Sequence, residues 1–332
     1  MSTPPPNVPP SGVWCPAVTL FDPDTDRLIP KDQESYLRYL SSKTGLAGLV
    51  ILGTNAETFL LTREERKELL TIAREACGPH FPIMAGVGGH STRQVLEFMD
   101  DAALAGANYV LVLPPAYFGA KATTPAVITA FFADVAAAAE KLALGVVVYN
   151  FPGVCNGVDI DSATIAALAR RYPGVVVGVK LTCGSVAKIT RLAAEFPADE
   201  FAVFGGQSDF LLGGLAVGSA GCIAAFANAF PRTVVEVYRL YKAGKTAEAL
   251  RLHQMAALAE QALKNGGISA TKYAATFLSA DGIIEGAEAK MQPRKPYQPL
   301  TVEAKLVIRA ALEEIHRTEI HLLLRDKEAA PK

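Results

Sequence analysis

The chain lacks several features that would assign it to a specialised class of protein. Its 332 residues carry 32 Lys and Arg against 33 Asp and Glu, so no excess positive charge is available to neutralise nucleic-acid phosphates. Its five cysteines, at positions 15, 77, 155, 183 and 222, are scattered and form no C-x-x-C pair. Their number and spacing exclude a disulfide framework and a zinc-finger type of site. We therefore expect a protein of a reducing compartment that does not bind nucleic acid.

The sequence also shows no recognisable signal for targeting or for membrane insertion. The first 26 residues contain no Lys or Arg, whereas signal and transit peptides both use basic residues. We therefore expect a cytoplasmic location, with a disordered Pro-rich tail over residues 1–11. The uncharged stretch 210–231 is long enough to span a bilayer, but its glycines and Asn228 favour buried core. We therefore expect no contact with a membrane.

Apolar residues make up 50% of the chain. Eight short segments are almost continuously apolar and do not alternate apolar with polar residues. Such runs are typical of parallel strands that are covered on both faces. Because amphipathic segments separate them, they predict a (β/α)₈ barrel over residues 12–245 rather than a doubly wound sheet of five or six strands. Residues 246–332 predict helices appended to the barrel. The predicted strands are 13–21, 48–54, 82–88, 109–114, 145–151, 175–182, 201–206 and 221–226.

Four polar residues lie at the C-terminal ends of predicted strands, where the active sites of such barrels gather. Lys180 follows the apolar run 175–179, and burial of its stem favours the free amine, which can attack a carbonyl. Tyr149 ends the preceding strand, so we expect its phenol beside Lys180 as a proton carrier. Thr54 and Asn55 offer a hydroxyl, an amide and backbone N–H groups to a carboxylate. Taken singly, each residue also fits a purely structural role, as a snorkelling lysine, an aromatic cap on the core or an ordinary loop.

Three motifs that contain these residues resemble the dihydrodipicolinate synthase / N-acetylneuraminate lyase family in order, spacing and strand position. They are Gly53-Thr54-Asn55-Ala56-Glu57, Tyr149-Asn150-Phe151-Pro152-Gly153 and Gly178-Val179-Lys180. The similarity covers residues 12–300, and the three motifs together are specific although each is weak alone. The resemblance implies a class I aldolase with a Schiff-base mechanism built on pyruvate. It also implies a homotetramer and the use of no metal or other cofactor.

The resemblance implies a role for each matching residue. Lys180 would form the imine with the keto carbon of the substrate. Tyr149 would be the general acid and base, and Thr54 would relay its proton. Thr54 and Asn55 would hold the pyruvyl carboxylate, and Thr182 would line the pocket.

Three further matches complete the predicted site. Gly205 and Ile223 match positions whose backbones lie near the lysine. Tyr117, in the sequence Pro115-Ala116-Tyr117-Phe118, resembles a tyrosine that family members lend to the site of a neighbouring subunit. We therefore expect all three to contribute to substrate binding.

Departures from the family pattern bear on the substrate. Synthases of the family place an arginine where this chain has Val154, and a distal carboxylate would lack its bidentate partner there. We therefore expect a 2-keto-3-deoxy sugar acid, such as 2-keto-3-deoxy-L-galactonate (L-threo-3-deoxy-hexulosonate), cleaved to pyruvate and an aldehyde such as glyceraldehyde. Asn55 resembles the 4-hydroxy-2-oxoglutarate aldolase branch. That substrate is the alternative, and the lack of an evident cation for its second carboxylate counts against it.

Three other activities remain as alternatives. A condensation of the dihydrodipicolinate synthase type is disfavoured by Val154. A metal-dependent aldolase is disfavoured because the five histidines are not spaced as ligands on one helix face. A barrel that binds a keto acid without catalysis is disfavoured by the joint presence of Lys180, Tyr149 and Thr54.

Overall fold

The fold is a closed barrel of eight parallel strands in a computed structural model that describes residues 8–328. The strands are β1 (Gly12–Pro16), β2 (Gly48–Ile51), β3 (Ile83–Gly86), β4 (Tyr109–Val112), β5 (Gly145–Asn150), β6 (Val176–Leu181), β7 (Ala202–Gly205) and β8 (Gly221–Ile223). Every residue in these strands is buried, as their continuous apolar runs predict. The predicted (β/α)₈ barrel is confirmed. Residues 1–7 of the predicted tail lie outside the described residues.

A helix follows each strand and covers the outside of the barrel. These helices are α1 (Pro30–Lys43), α2 (Arg63–Cys77), α3 (Thr92–Leu104), α4 (Pro125–Leu142), α5 (Ser162–Arg171), α6 (Val186–Glu195), α7 (Leu211–Ala216) and α8 (Pro231–Lys242). Local sequence sets where they begin. At α2, for example, the Thr62 hydroxyl accepts from Glu65 N, and the Glu65 carboxylate accepts from Thr62 N at 2.9 Å. This capping box satisfies backbone donors that a helix start leaves free.

The strands are shorter than the apolar runs that predict them. The first run extends to residue 21, but β1 ends at Pro16 although the following residues remain buried. After Pro16, side chains accept backbone hydrogen bonds in place of a neighbouring strand. Asn228 Oδ1 accepts from Val18 N at 3.0 Å, and Gln33 Oε1 accepts from Leu20 N at 2.9 Å. Burial alone therefore does not show where a strand ends, because distant side chains can satisfy a buried backbone as well as a neighbouring strand can.

Three helices follow the barrel: α9 (Thr246–Thr276), α10 (Ala287–Lys290) and α11 (Val302–Glu328). α9 packs against α8 and α11 and is kinked at Gly267, whose φ of 63° and ψ of −147° are not helical. Glu319 of α11 is buried and accepts from the backbone N of Arg232 and Thr233 at the start of α8. The C-terminal helices are thereby fixed to the barrel.

The apolar stretch 210–231 is divided among several short elements. It contains α7, β8, a 3₁₀ turn at Ala225–Asn228 and the first residue of α8. Within residues 8–328, none of the helices combines the length and the apolar character that crossing a membrane requires.

Candidate active site

A cavity of about 280 Å³ opens at the C-terminal ends of the barrel strands. Its walls come from the loops after several strands and from α9. Five of the residues expected at a site line it: Thr54, Asn55, Tyr149, Lys180 and Thr182. The other lining residues are Phe151, Gly206, Gln207, Ala225, Phe226, Glu260, Leu263, Lys264, Gly267, Ile268 and Thr271.

Lys180 and Tyr149 form the floor of this cavity. They are direct partners across β6 and β5, and both are almost fully buried, with 2% and 3% of their surface exposed. The Lys180 ammonium nitrogen lies 4.3 Å from the centre of the Tyr149 ring. The Tyr149 hydroxyl lies 3.3 Å from Thr54 Oγ1, and either oxygen can donate. An amine, a phenol and a hydroxyl therefore meet in a site that is largely shielded from water.

The turn that carries Thr54 and Asn55 is held in an unusual conformation. Leu52 and Glu57, on either side of it, both have positive φ values, of 63° and 57°, which non-glycine residues adopt only when their surroundings enforce it. The Glu57 carboxylate is buried and accepts from Lys272 Nζ at 2.7 Å and from Arg294 N at 2.6 Å. The helix α9 and the segment after α10 thus fasten this turn to the barrel.

Thr182, two residues after Lys180, also lines the cavity. Its Oγ1 is buried and has no hydrogen-bond partner in the part of the chain that the structure describes. A Cβ atom on Gly206 would lie 2.0 Å from this oxygen, so glycine is required there. Because an unpaired buried hydroxyl is costly, the position is suited to binding a polar ligand atom.

Three of the predicted binding residues do not line the cavity. Gly205 and Ile223 are buried in β7 and β8. They precede the lining residues Gly206 and Ala225 in the sequence. Tyr117 is 69% exposed, and its ring contacts those of His90 and Phe118. It therefore lies on the surface of its own chain.

Two charged residues of α9 that the sequence did not single out also line the cavity. Glu260 is buried, and its carboxylate accepts from Ser208 N at 3.2 Å and from Ser208 Oγ at 2.5 Å. Burial raises the pKa of Glu260 to about 7. Lys264, one turn further along α9, donates to Asp209 Oδ2 at 2.8 Å and to Gln207 Oε1 at 3.3 Å. Their spacing of four residues puts them on one helix face, but no local pattern indicates that this face meets the barrel mouth.

Comparisons with known proteins identify the relatives of this chain. The model of the dihydrodipicolinate synthetase family matches residues 9–315. A Coccidioides immitis protein, provisionally named as a mitochondrial 4-hydroxy-2-oxoglutarate aldolase, is 62% identical over 96% of this chain and 99% of its own. An Emericella nidulans protein with the same kind of provisional name is 36% identical over 94% and 95%. The L-threo-3-deoxy-hexylosonate aldolase of Hypocrea jecorina is 35% identical over 81% and 87%.

A solved structure extends the likeness to three dimensions. The crystal structure of a dihydrodipicolinate synthase family protein from Coccidioides immitis superposes with a TM-score of 0.87 at 59% identity, covering 95% of this chain and 98% of that one. The names of the relatives confirm the expectation of a carbon–carbon lyase of the aldolase type.

The expected cytoplasmic location is contradicted, since two of these relatives are named as mitochondrial. That expectation depended only on the composition of the first 26 residues. The absence of basic residues there does not outweigh the names of relatives that match over almost their whole length.

The family itself is shown by the match over residues 9–315 and by relatives of up to 62% identity. The chain belongs to the dihydrodipicolinate synthetase family.

Proposed function

We propose that the chain is a class I aldolase that releases pyruvate from a 4-hydroxy-2-oxo acid through a Schiff base on Lys180. One observation carries the proposal: an amine, a phenol and a hydroxyl, from Lys180, Tyr149 and Thr54, meet in a buried cavity. This combination supplies a nucleophile for a ketone and a proton path for the hydroxyl that is lost.

The reaction follows from these three groups. The Lys180 amine attacks the C2 ketone to form a carbinolamine. Tyr149 donates its proton to the carbinolamine hydroxyl, which leaves as water, so that an iminium ion and a Tyr149 phenolate result. Tyr149 takes the proton of the C4 hydroxyl, with Thr54 as relay, while the C3–C4 bond breaks and its electrons move into the iminium to form an enamine. The aldehyde leaves, the enamine is protonated at C3, and water hydrolyses the imine to free pyruvate and restore Lys180.

The binding of the pyruvyl half is proposed for the residues around this centre. Thr54 and Asn55 bind the carboxylate next to the ketone, partly through backbone N–H groups of their turn. The Thr182 hydroxyl, buried and without a partner among residues 8–328, binds a polar atom of the same half. Gly205, on the strand next to that of Lys180, and Ile223, one strand further around the barrel, contribute their backbones near the imine.

The substrate that we favour is 4-hydroxy-2-oxoglutarate, which yields pyruvate and glyoxylate. Support comes from the 62% identity to a relative that carries this name over almost its whole length, and from Asn55 in the turn after β2. The cavity volume of about 280 Å³ is at the small end of ligand pockets, as expected for a small keto acid.

A second candidate substrate is the 2-keto-3-deoxy sugar acid expected from the sequence. It is supported by the relative named L-threo-3-deoxy-hexylosonate aldolase, at 35% identity. The side chains of Gln207, Glu260 and Thr271 line the cavity and could bind the hydroxyl groups of a sugar tail. The condensation of the synthase type stays disfavoured, since Val154, at the place of the family arginine, is apolar and 46% exposed.

A substrate panel distinguishes these candidates. Pyruvate release is measured by a coupled assay for 4-hydroxy-2-oxoglutarate and for 2-keto-3-deoxy-L-galactonate, each with and without excess chelator. We expect the higher kcat/KM for the dicarboxylate, with no effect of the chelator. A preference for the sugar acid would transfer the proposal to the second candidate, and loss of activity in chelator would contradict the Schiff-base route.

We also propose that the chain forms a homotetramer in which Tyr117 reaches the cavity of a neighbouring copy. Phe59, Tyr117 and Phe118 are each more than half exposed and, with His90, form a chain of ring contacts at the mouth of the barrel. Exposed aromatic groups of this kind are typical of interfaces. Sedimentation of the wild type and of Tyr117→Ala tests this, and a monomeric wild type with full activity would contradict it.

The names of the two fungal relatives also support a mitochondrial location. Fractionation of cells that express the full chain with a C-terminal tag tests it, and a tag found only in the cytosol would contradict it.

A further inference from the structure

We propose that Lys264 binds the carboxylate at the far end of the substrate and so selects a dicarboxylate. This inference depends on the proposed function, because it assigns a residue to the second carboxylate of 4-hydroxy-2-oxoglutarate. It also supplies the cation whose apparent absence counted against that substrate in the sequence. The lysine is distant in sequence from all three family motifs, and it reaches the cavity only because α9 folds back over the barrel.

The position of Lys264 fits this role. Lys180 and Lys264 are the only basic residues among the described residues that line the cavity, and Lys180 is committed to the imine. Lys264 donates to Gln207 and Asp209 in the loop after β7, so its ammonium group is held at the mouth. The neighbouring kink of α9 at Gly267 also lines the cavity.

The hydrogen bonds of Lys264 leave room for a ligand. An ammonium group has three N–H donors, and the structure uses two of them, for Asp209 and Gln207. The third can meet a carboxylate oxygen. The side chain is 35% exposed, so a ligand that enters from solvent can reach it.

The two carboxylates of the substrate would then be bound on different sides of the cavity. Thr54 and Asn55 follow β2, whereas Gln207 and Asp209 follow β7, three strands away around the closed barrel. Lys180 lies on β6, next to β7. A substrate attached to Lys180 can therefore direct C1 towards the turn after β2 and its far end towards Lys264.

The carboxyl group of nearby Glu260 does not fully neutralise the positive charge of Lys264 at neutral pH or below. Its burial raises its pKa to about 7, so a large part of the carboxyl group is neutral there. The Ser208 backbone and hydroxyl hold it in place. Glu260 is thus partly discharged, and the carboxylate that must share the Lys264 ammonium with the substrate is that of Asp209, at 2.8 Å.

The experiment compares Lys264→Met with Lys264→Arg on both candidate substrates. We expect Met to raise KM for 4-hydroxy-2-oxoglutarate about 10- to 100-fold, the contribution of one charge-assisted hydrogen bond. KM for the sugar acid should change less than about 3-fold, and Arg should restore most of the loss. Lys245→Met, which removes an exposed lysine at the start of α9 that pairs with Glu248, is the control for a lost positive charge.

A second variant separates substrate binding from a structural role. Asp209→Asn frees Lys264 from its ion pair, so KM for the dicarboxylate should fall or stay constant. If Lys264 serves only to hold Asp209, then Lys264→Met and Asp209→Asn will impair both substrates equally. That result, or an unchanged KM in Lys264→Met, overturns the inference while leaving the proposed function intact. A wild type that cleaves only the sugar acid overturns the proposed substrate instead.

Discussion

Tyr149 and Lys180 lie side by side on neighbouring strands, with the lysine nitrogen 4.3 Å from the centre of the tyrosine ring. The ring therefore has two separable functions. Its face packs against the amine, and its hydroxyl, 3.3 Å from Thr54 Oγ1, is available to move protons. Variants that remove one function and keep the other can test the proposed mechanism directly.

The hydroxyl of Tyr149 should matter more for cleavage than for imine formation with pyruvate. We expect Tyr149→Phe to lower kcat for cleavage about 10²- to 10⁴-fold, the usual contribution of a general acid or base. Trapping of pyruvate on Lys180 should persist, although more slowly. Steady-state kinetics and borohydride trapping measure the two effects. A variant with wild-type kcat would exclude Tyr149 as the proton carrier.

The hydroxyl of Thr54 should contribute less than that of Tyr149. Thr54→Val keeps the shape of the side chain and removes one hydrogen bond, so we expect kcat to fall about 10-fold. Thr54→Ser keeps the hydroxyl and serves as the matched control. Full activity in Thr54→Val would exclude the relay, and a loss confined to Thr54→Ser would show that the methyl group is what matters.

The ion pair of Glu57 and Lys272 should be important for stability. Both side chains are almost completely buried, at 2% and 0% exposure, so Lys272→Met leaves an uncompensated carboxylate. We expect the free energy of unfolding in urea to fall by about 3–5 kcal/mol. Lys305→Met, which breaks the more exposed pair with Glu288, should cost less than about 1 kcal/mol. Similar losses in the two variants would contradict this account.

Glu260 should make stability depend on pH. Its pKa is about 7 in the fold because burial penalises the charged form, whereas the ordinary value is 4.5. Between these values the native state binds more protons than the unfolded state, so its stability falls as pH rises. The neighbouring charges are Asp209, which raises the pKa further, and Lys264, which lowers it; the His253 ring contacts the Ser208 carbonyl.

Glu260→Gln removes this titration and keeps the shape of the side chain. The difference in unfolding free energy between wild type and variant should therefore change by about 3 kcal/mol from pH 4 to pH 8, to the disadvantage of the wild type. Urea titrations at several pH values measure it. A difference that stays constant with pH would mean that Glu260 titrates near its ordinary value.

Gly206 should be essential because of its contact with Thr182. Gly206→Ala places a Cβ 2.0 Å from Thr182 Oγ1 and 2.6 Å from its Cα, so Thr182 must move away from the cavity. We expect kcat/KM to fall at least 10-fold and the protein to become less stable. Gly213→Ala is the matched control, since its Cβ meets its nearest neighbour at 3.9 Å; its activity should be unchanged. Full activity in Gly206→Ala would contradict a role for Thr182.

The sequence was sufficient to predict the barrel and to predict that Thr54, Tyr149 and Lys180 meet at one end of it. Apolar runs determine where parallel strands form, and the strand order then brings Tyr149 and Lys180 together whatever the surrounding loops do. The ends of strands were predicted less well, as at Pro16, because side chains of Asn228 and Gln33 replace the ladder there.

The contribution of α9 could not be predicted from the sequence. Glu260 and Lys264 lie in an ordinary amphipathic pattern, and only the packing of α9 on the barrel brings them to the cavity. Lys272 likewise pairs with a residue 215 positions away. Contacts between residues so far apart in the sequence depend on the whole fold, and no local sequence pattern predicts them.

The central claim is that Lys180 forms an imine with a keto acid, and one measurement tests it most directly. The protein is incubated with pyruvate and borohydride, its intact mass is determined, and the modified peptide is mapped. The account predicts the added mass of one reduced pyruvyl group per chain, located on Lys180 and absent from Lys180→Met. A folded wild type that gains no such mass, or that carries it on another lysine, would contradict the account.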